Sequence, residues 1–380
     1  MRRAALALAL AALAGCGTIQ LDRPLVPAPR AEAPSPPLVQ AWETEVDAAF
    51  GPAAATAGSG RLAVGTRSGH VVVLDGATGD RLGSLSFGAG IDGGVLVAPD
   101  GQTVYVPVAR GRYGVVAHGL RDGRRRWAWR ADSAALAADA GLALVGGVVV
   151  APLHDGTTVG LDATAGTERW RLAGGARAQN HAAPTVLPGG LVAIADDRGS
   201  VRAVDGATGA VRWSADVGAP VYAAPVVDDG RLLVPTTRGT LVALDATSGR
   251  VLWTARLDAT GQARVTGPAV ASGRVVVGLT DGRVVALDVA TGATVWTWAG
   301  TGAIIGAPLA SGPTVYVGTM DKRLVALDAA TGAETWSTIL RGRVKSALAV
   351  EGGRLVVLTE PRHVVAFQTV PPSAPVAARP

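Results

Sequence analysis

A twelve-residue string that recurs along the chain constrains its fold more than any other feature. It reads VALDATSGRVLW at 242–253, VALDVATGATVW at 285–296 and VALDAATGAETW at 325–336. The mean spacing of its copies is about 42 residues, the length of one four-stranded blade of a β-propeller. The aspartate of the string, here called the frame position, is occupied in eight copies by Asp75, Gly119, Asp162, Asp205, Asp245, Asp288, Asp328 and Gln368.

Tryptophans follow the same frame. Six of them stand eight residues after a frame position. The first copy has Gly83 at this place, and a seventh tryptophan, Trp42, lies one period before Gly83 at the start of the repeat region. We expect these indoles on the outermost strands, where burial against the neighbouring blade stabilises each interface by up to about 5 kcal/mol. The expected interface residues are Trp42, Trp127, Trp170, Trp213, Trp253, Trp296 and Trp336.

The inner half of each copy completes the prediction of the fold. Segments such as 182–184 and 223–225 read Ala-Ala-Pro, and small residues followed by proline suit a crowded innermost strand. Short β-branched runs separated by turn signals, without a long helical period, indicate an all-β chain. We therefore predict an eight-bladed β-propeller of four-stranded antiparallel blades over residues 40–370. The N-terminal strand that carries Trp42 is expected to complete the last blade and close the ring.

The start of the chain predicts export. Arg2 and Arg3 precede an apolar run of eleven residues at 4–14, which is too short for a membrane span of about 20 residues. A basic start followed by a short apolar run indicates a signal peptide over 1–15. The Leu-Ala-Gly-Cys ending resembles a lipobox, which implies acylation of Cys16, the only cysteine; the alternative is a plain signal peptide with an incidental cysteine. With Gly17 next, the resemblance implies the periplasmic face of the outer membrane. Residues 16–39 are expected to form a Pro/Ala-rich tether, and 371–380 a similar tail.

Charge and reactive side chains give no catalytic or metal site. The formal charge is +5, and its one dense patch consists of Arg121, Arg124, Arg125, Arg126 and Arg130. Such a patch can hold an anion or a nucleic-acid strand, although we interpret it as a solvated hairpin tip and expect no nucleic acid. The five histidines lack metal-binding spacings, and no Gly-x-Ser-x-Gly nucleophile motif is present.

The pattern L-D-x-x-T-G-x-x-x-W resembles the tryptophan-docking repeat of the quinoprotein (PQQ-type) propellers over residues 42–368. The resemblance implies either an enzyme or a binding protein, because both occur on this fold. The enzymes hold pyrroloquinoline quinone and Ca²⁺ with a cysteine pair and an acidic set, whereas this chain has one cysteine and few acidic residues on its inner strands. We expect no cofactor and no enzyme. A PQQ-dependent dehydrogenase or a quinone-sensing propeller is the alternative.

The order of lipobox, tether, eight blades and N-terminal closure is similar to that of the BamB family of lipoproteins. This resemblance implies a non-catalytic, lipid-anchored scaffold that assists insertion of outer-membrane β-barrel proteins by binding a POTRA-containing barrel insertase. We expect a monomer within a larger complex; a propeller that binds cell wall or a receptor is a further alternative. The family's leucine-arginine and double-aspartate contact motifs are missing. In the loops that correspond to these motifs, we expect the partner-binding residues to be Arg177, Gln179, Asn180, His181 and Tyr222.

Overall fold

Eight antiparallel sheets of four strands follow one another along the chain. The computed structural model describes residues 32–46, 56–58, 60–88, 90–91, 93–108, 113–131 and 140–370. The predicted signal peptide, Cys16, most of the predicted tether and the tail at 371–380 lie outside the described residues. Within the described part, the helical structure is a single 3-10 turn at Pro188–Gly190.

Each sheet forms one blade, and its strands are numbered along the chain. Blade 1 consists of β2 Thr56–Gly58, β3 Arg61–Gly65, β4 His70–Asp75 and β5 Arg81–Ser86, and blade 2 of β6 Leu96–Val97, β7 Thr103–Pro107, β8 Val115–Gly119 and β9 Arg125–Trp129. Blade 3 consists of β10 Ala143–Val145, β11 Val148–Pro152, β12 Thr158–Asp162 and β13 Glu168–Leu172, and blade 4 of β14 Thr185–Leu187, β15 Leu191–Ala195, β16 Ser200–Asp205 and β17 Val211–Asp216.

Blades 5 to 7 have the same order, and blade 8 takes its fourth strand from the N-terminus. Blade 5 consists of β18 Val226–Asp228, β19 Arg231–Pro235, β20 Thr240–Asp245 and β21 Val251–Arg256, and blade 6 of β22 Ala269–Ala271, β23 Arg274–Gly278, β24 Arg283–Asp288 and β25 Thr294–Ala299. Blade 7 consists of β26 Leu309–Ser311, β27 Thr314–Gly318, β28 Arg323–Asp328 and β29 Glu334–Ile339, and blade 8 of β30 Ala349–Glu351, β31 Arg354–Thr359, β32 His363–Thr369 and β1 Leu38–Glu45.

The short first strands surround the axis of the ring. Neighbouring first strands contact one another, as β10 does β14 and β14 does β18. Strand β2 of blade 1 likewise contacts β30 of blade 8, so the last blade meets the first. The predicted eight-bladed, all-β propeller is confirmed.

The core lies between blades, because the middle strands are buried on both faces. Residues 241–244 of β20 are all buried, which explains why the third strands read as continuous apolar runs. One cluster joins Val201 and Ala203 of blade 4 to Leu232 and Val242 of blade 5. Burial of both sheet faces supplies the stabilisation that no single four-stranded blade achieves alone.

The frame aspartate closes the turn between the third and fourth strands. Oδ1 of Asp245 accepts hydrogen bonds from the backbone amides of Thr247 and Ser248, at 3.0 and 2.9 Å. Five other copies make the same pair of bonds, so the aspartate acts as an Asx-turn residue. These copies are Asp75, Asp162, Asp205, Asp288 and Asp328.

The tryptophan of one blade docks on the turn glycine of the next. The Trp213 indole lies against Gly249, which has a φ of +73°, and its Nε1 donates to the Ala246 carbonyl at 3.1 Å. A Cβ atom at Gly249 would lie 2.5 Å from that ring, so any side chain here would force the ring or the turn to shift. The same indole-to-carbonyl bond, at 2.9–3.2 Å, joins Trp42 to Gly76, Trp127 to Ala163, Trp170 to Gly206, Trp253 to Val289 and Trp296 to Ala329.

The N-terminal strand closes the ring as predicted. Strand β1 pairs with β32 and places Leu38 opposite Thr369, with a bulge between Gln40 and Trp42. Trp42 then docks on blade 1 in the way that the other tryptophans dock on their neighbours. On the inner side of the same interface, Oε1 of Glu351 accepts the Gly60 amide at 2.7 Å. The ring is therefore closed at both its outer and its inner edge.

The interface between blades 7 and 8 departs from the repeat. Blade 8 has no turn between its third and fourth strands, since β1 comes from the other end of the chain, and Trp336 packs edge-on against Phe367 with ring centroids 6.0 Å apart. The residues just before β1 occupy the place of the turn. Tyr316 Oη donates to the Pro34 carbonyl, Thr369 Oγ1 donates to Ser35 at 2.9 Å, and the Val370 amide donates to Pro37 at 3.0 Å. The last residues of the predicted tether thus lie on the propeller.

Candidate functional site

The two ends of the blades form two different faces. Because the strands are antiparallel, turns alternate between the ends of a blade. The links from each fourth strand to the next blade, together with the turns between second and third strands, make up what we call the connection face. The remaining turns, including those of the frame aspartates, make up the hairpin face. All five predicted contact residues lie in links to the next blade, hence on the connection face.

The links into blades 5 to 8 are held by hydrogen bonds to the blades on both sides. In the link to blade 5, the Val221 amide donates to Asp196 of blade 4 at 3.1 Å, and the Pro220 carbonyl accepts from Thr237 of blade 5 at 2.9 Å. The links into blades 6, 7 and 8 repeat both bonds at 2.9–3.3 Å. These bonds make this part of the connection face a rigid platform, since the links and the turns beside them fix one another.

Asn180 occupies the buried place of Val221 in the link to blade 4. Its side chain is fully buried, and its Nδ2 donates to the carbonyls of Leu153 and Thr157, at 3.1 and 3.0 Å. The prediction that Asn180 offers a contact to a partner is therefore corrected. Its side chain is used inside the fold to hold the link against blade 3.

His181 and Tyr222 follow the buried places of their links and lie together. Their ring centroids are 4.6 Å apart, and Tyr222 is 44% exposed. The row extends on both sides: the His154 ring packs at 5.4 Å from that of His181, and the Arg264 guanidinium lies 5.8 Å from the centre of the Tyr222 ring. We call His154, His181, Tyr222 and Arg264 the aromatic row. It crosses from the second-to-third-strand turn of blade 3 to the link that enters blade 6.

The other two predicted residues flank this row. Arg177 is exposed and has a φ of +56°, and its carbonyl accepts from Nη2 of Arg198 at 3.3 Å. Gln179 is half-buried, and its amide donates to Oδ1 of Asp197 at 2.8 Å. Both positions are fixed by blade 4, with the Arg177 side chain directed at solvent.

Two members of the row were missed by sequence reasoning. Arg264 has the same place in its link as Gln179, directly before the buried residue, so an alignment of the links could have found it. His154 lies in the turn between β11 and β12, and nothing in the sequence indicates that this turn meets the next link. The contact depends on the packing of two blades.

The segment before Arg264 is fixed by an aspartate. Both carboxylate oxygens of Asp258 accept hydrogen bonds, from the amides of Thr260, Gln262 and Ala263 at 2.7–3.1 Å. The Ala263 amide and the Thr260 hydroxyl lower the pKa of this carboxyl well below its usual value. Arg264 thus leaves a segment that is ordered by its own side-chain hydrogen bonds.

The described part of the chain holds no group of three or more His, Cys, Asp or Glu side chains placed to bind a metal ion. In that same part, no helix has the length and apolar character needed to cross a membrane. The geometry on the connection face is that of a surface for contacts, built from rings, a guanidinium group and backbone hydrogen bonds.

Comparison with known proteins agrees with this architecture. A crystal structure of BamB from Moraxella catarrhalis superposes with a TM-score of 0.74 at 24% identity, covering 87% of this chain and 99% of that one. A crystal structure of the computationally designed Ika8 protein gives a TM-score of 0.72 at 19% identity, covering 86% and 98%. At these identities the two structures establish the fold. No curated protein sequence matches the chain.

A family model decides the family. The model described as outer membrane protein assembly factor BamB matches residues 39–182, 176–299 and 297–370. These matches span nearly all of the propeller and confirm the resemblance drawn from the repeat. The protein therefore belongs to the family of the outer membrane protein assembly factor BamB.

Proposed function

We propose that this protein is a non-catalytic scaffold that binds a protein partner through its connection face. The observation that carries the proposal is the aromatic row, which is continuous over four blades and is set on links fixed by hydrogen bonds. Tyrosine and arginine on a rigid support are the residues that most often dominate protein interfaces. Pre-ordered links reduce the entropy that binding would cost.

The family supplies the class of partner. The family model is described as an outer membrane protein assembly factor. The resemblance drawn from the sequence implies a POTRA-containing barrel insertase as the partner and assistance in the assembly of outer-membrane β-barrel proteins as the role. We propose the same role here, with export directed by residues 1–15 and a lipid anchor on Cys16 at the periplasmic face of the outer membrane. Since the family's own contact motifs are missing, this chain would reach its partner with His181, Tyr222 and Arg264.

The test is a cross-linked pull-down of the tagged lipoprotein from native membranes, with mass spectrometry of the recovered proteins. We expect recovery of a POTRA-containing insertase, reduced at least about tenfold by Tyr222→Ala, as for a central interface residue. The matched control is Val251→Ala, because Val251 is 47% exposed on the fourth strand of blade 5, away from the connection face. This variant should retain the partner.

Two results would contradict the proposal. Recovery of only cell-wall components or a receptor would remove the assembly role, although the contact surface would stand. Saturable dye-linked oxidation of alcohols or sugars after addition of pyrroloquinoline quinone and Ca²⁺ would show an enzyme in place of a scaffold.

A further inference from the structure

Blade 2 breaks the charge pattern of the hairpin face. In blades 3 and 4 an arginine on the fourth strand pairs with the frame aspartate of its own blade, Arg169 with Asp162 at 2.5 Å and Arg212 with Asp205 at 2.7 Å. Blade 2 has Gly119 at the frame position, so this carboxylate is missing and the turn carries arginine instead. The change leaves blade 2 with an excess of positive charge at a place where blades 3 and 4 pair an arginine with a carboxylate.

The arginines of blade 2 are exposed and gathered on one edge. We call Arg121, Arg124, Arg125, Arg126 and Arg130 the arginine patch; all five side chains are exposed. Within the described residues, Asp122 is the one carboxylate that pairs with the patch, through Arg126 at 3.1 Å. The patch therefore retains most of its charge.

Tyr113 holds two members of the patch side by side. The guanidinium groups of Arg125 and Arg130 lie 5.5 and 5.4 Å from the centre of its ring. Nη1 of Arg125 also donates to the Tyr113 hydroxyl at 3.4 Å. Cation–π contacts of this kind order guanidinium groups without neutralising them. Tyr113 and Arg130 lie at the connection-face ends of β8 and β9, so the ordered guanidinium groups lie along the outer edge of blade 2. Guanidinium forks bind phosphate oxygens in a bidentate manner.

The N-terminal segment leaves the ring on the same face as the turn of the patch. Leu38 lies opposite Thr369, at the hairpin-face end of β32, and Ala33 donates its amide to Ser311 Oγ at 2.9 Å beside the first hairpin of blade 7. Arg121 and Arg124 lie in the turn between β8 and β9, which is also on the hairpin face. The aromatic row is on the opposite face. A tether that starts here would bring the hairpin face, not the connection face, towards the membrane.

We propose that the arginine patch binds the anionic phosphate headgroups of the membrane that carries the lipid anchor. This inference goes beyond the proposed scaffold role and rests on the anchor at Cys16 included in it. A second electrostatic contact makes anchoring stable and sets an orientation, since basic residues near an anionic surface add to the binding of a lipid chain. When Arg121 and Arg124 contact the membrane from the hairpin face, the aromatic row on the connection face is directed away from it and is accessible to a partner.

The test uses the chain from residue 17 onward, which contains the whole closed ring and has no lipid. Its co-sedimentation is measured with vesicles of phosphatidylcholine alone and with vesicles that also contain phosphatidylglycerol. We expect binding to the anionic vesicles only, decreasing as salt rises. The double variant Arg121→Ser with Arg124→Ser should lower the partition coefficient by about 30-fold, because each surface arginine contributes close to one factor of five.

The matched control removes equal charge elsewhere. Arg238 lies in the turn between β19 and β20 and Arg343 in the link to blade 8, so both are exposed on the connection face. Arg238→Ser with Arg343→Ser should leave vesicle binding unchanged. The proposal is overturned if this control loses as much binding as the patch variant, or if the patch variant binds like the unchanged chain. It is also overturned if the patch variant keeps vesicle binding but loses an acidic protein in the pull-down.

The vesicle result is separate from the partner test. Tyr222→Ala should leave vesicle binding intact, and the patch variant should still recover the insertase when the lipid anchor is present. Loss of vesicle binding in Tyr222→Ala, or loss of the insertase in the patch variant, would show that the corresponding face has been assigned wrongly.

Discussion

At the residue scale, a single turn glycine meets two requirements of the repeat, a positive φ in the turn and space for the tryptophan of the neighbouring blade. Gly249 takes a φ of +73°, which costs other residues about 1–2 kcal/mol, and its lack of a Cβ leaves room for the Trp213 ring. The sequence explains the first demand, because a tight hairpin needs such a φ. The second demand appears only when two blades are seen together.

These two demands can be separated experimentally. Gly249→Ala should destabilise the protein by about 1–2 kcal/mol for the backbone and about 1–3 kcal/mol more for overpacking against the indole. Gly218→Ala is the matched control, because Gly218 has a φ of +75° but an added Cβ would meet nothing within 4 Å. It should show the backbone cost alone. Urea denaturation measures both, and equal losses would contradict the docking account.

At the scale of the element, the hairpin between the third and fourth strands of blade 5 depends on an ionised carboxylate. Hydrogen bonds from the hydroxyls of Thr247 and Ser248, followed by their amides, lower the pKa of Asp245 to about 2. The unfolded chain has a value of about 3.9 for the same group. Between these values the unfolded state binds more protons than the native state, so this hairpin's contribution is complete above about pH 4 and is lost as the pH falls towards 2.

Asp245→Asn should therefore flatten the acid side of the stability profile. The asparagine oxygen can accept the amides of Thr247 and Ser248 without titrating, so the turn is retained at low pH. Thermal melts from pH 7 to pH 2 compare the two proteins. The variant should lose less melting temperature over this range than the unchanged protein, and parallel profiles would show that the carboxylate does not stabilise the hairpin.

At the scale of the whole molecule, the ring is closed by two chain ends that replace one hairpin. In blade 2, Tyr105 donates its hydroxyl to Ala163 in the turn of blade 3, at 3.2 Å. Tyr316 has the same place in blade 7, but its hydroxyl donates to Pro34 because blade 8 has no such turn. Burial raises the pKa of Tyr316 to about 12, so the group remains a neutral donor. A groove of about 240 Å³ at this interface, lined by Trp336, Ile339 and Phe367 among others, accompanies the missing turn.

Tyr316→Phe should weaken the closure, whereas Tyr105→Phe should not. Each variant loses one hydrogen bond, worth about 1 kcal/mol. In Tyr316→Phe the loss falls on the segment that positions β1, so amide hydrogen exchange of Leu38–Glu45 should become faster. The Tyr105→Phe variant should leave that strand protected. Equal exchange of β1 in the two variants would show that Pro34 is not needed to close the ring.

Most of the fold could be predicted because a short local repeat specifies the strands and turns of each blade. The spacing of Asp245 and Trp253 specifies a strand, a turn and a strand within one short string, and eight copies give the blade count. The site was only partly predictable. Tyr222 and His181 are recognisable as loop residues, but Asn180 has the same polar appearance and is buried in the fold.

By itself, the sequence determined the blade and the number of blades, since these depend on hydrogen bonds and apolar patterns between residues close in the chain. It also determined the strand that closes the ring, although β1 pairs with β32 at the far end of the chain, because Trp42 supplies the tryptophan that the last copy lacks. Only the tertiary structure decided which loop residues meet. His154, His181, Tyr222 and Arg264 come from four segments spread over more than a hundred residues, and they form a row because rigid blades bring their links side by side. Contacts of this kind depend on the angle between blades, which no short string encodes.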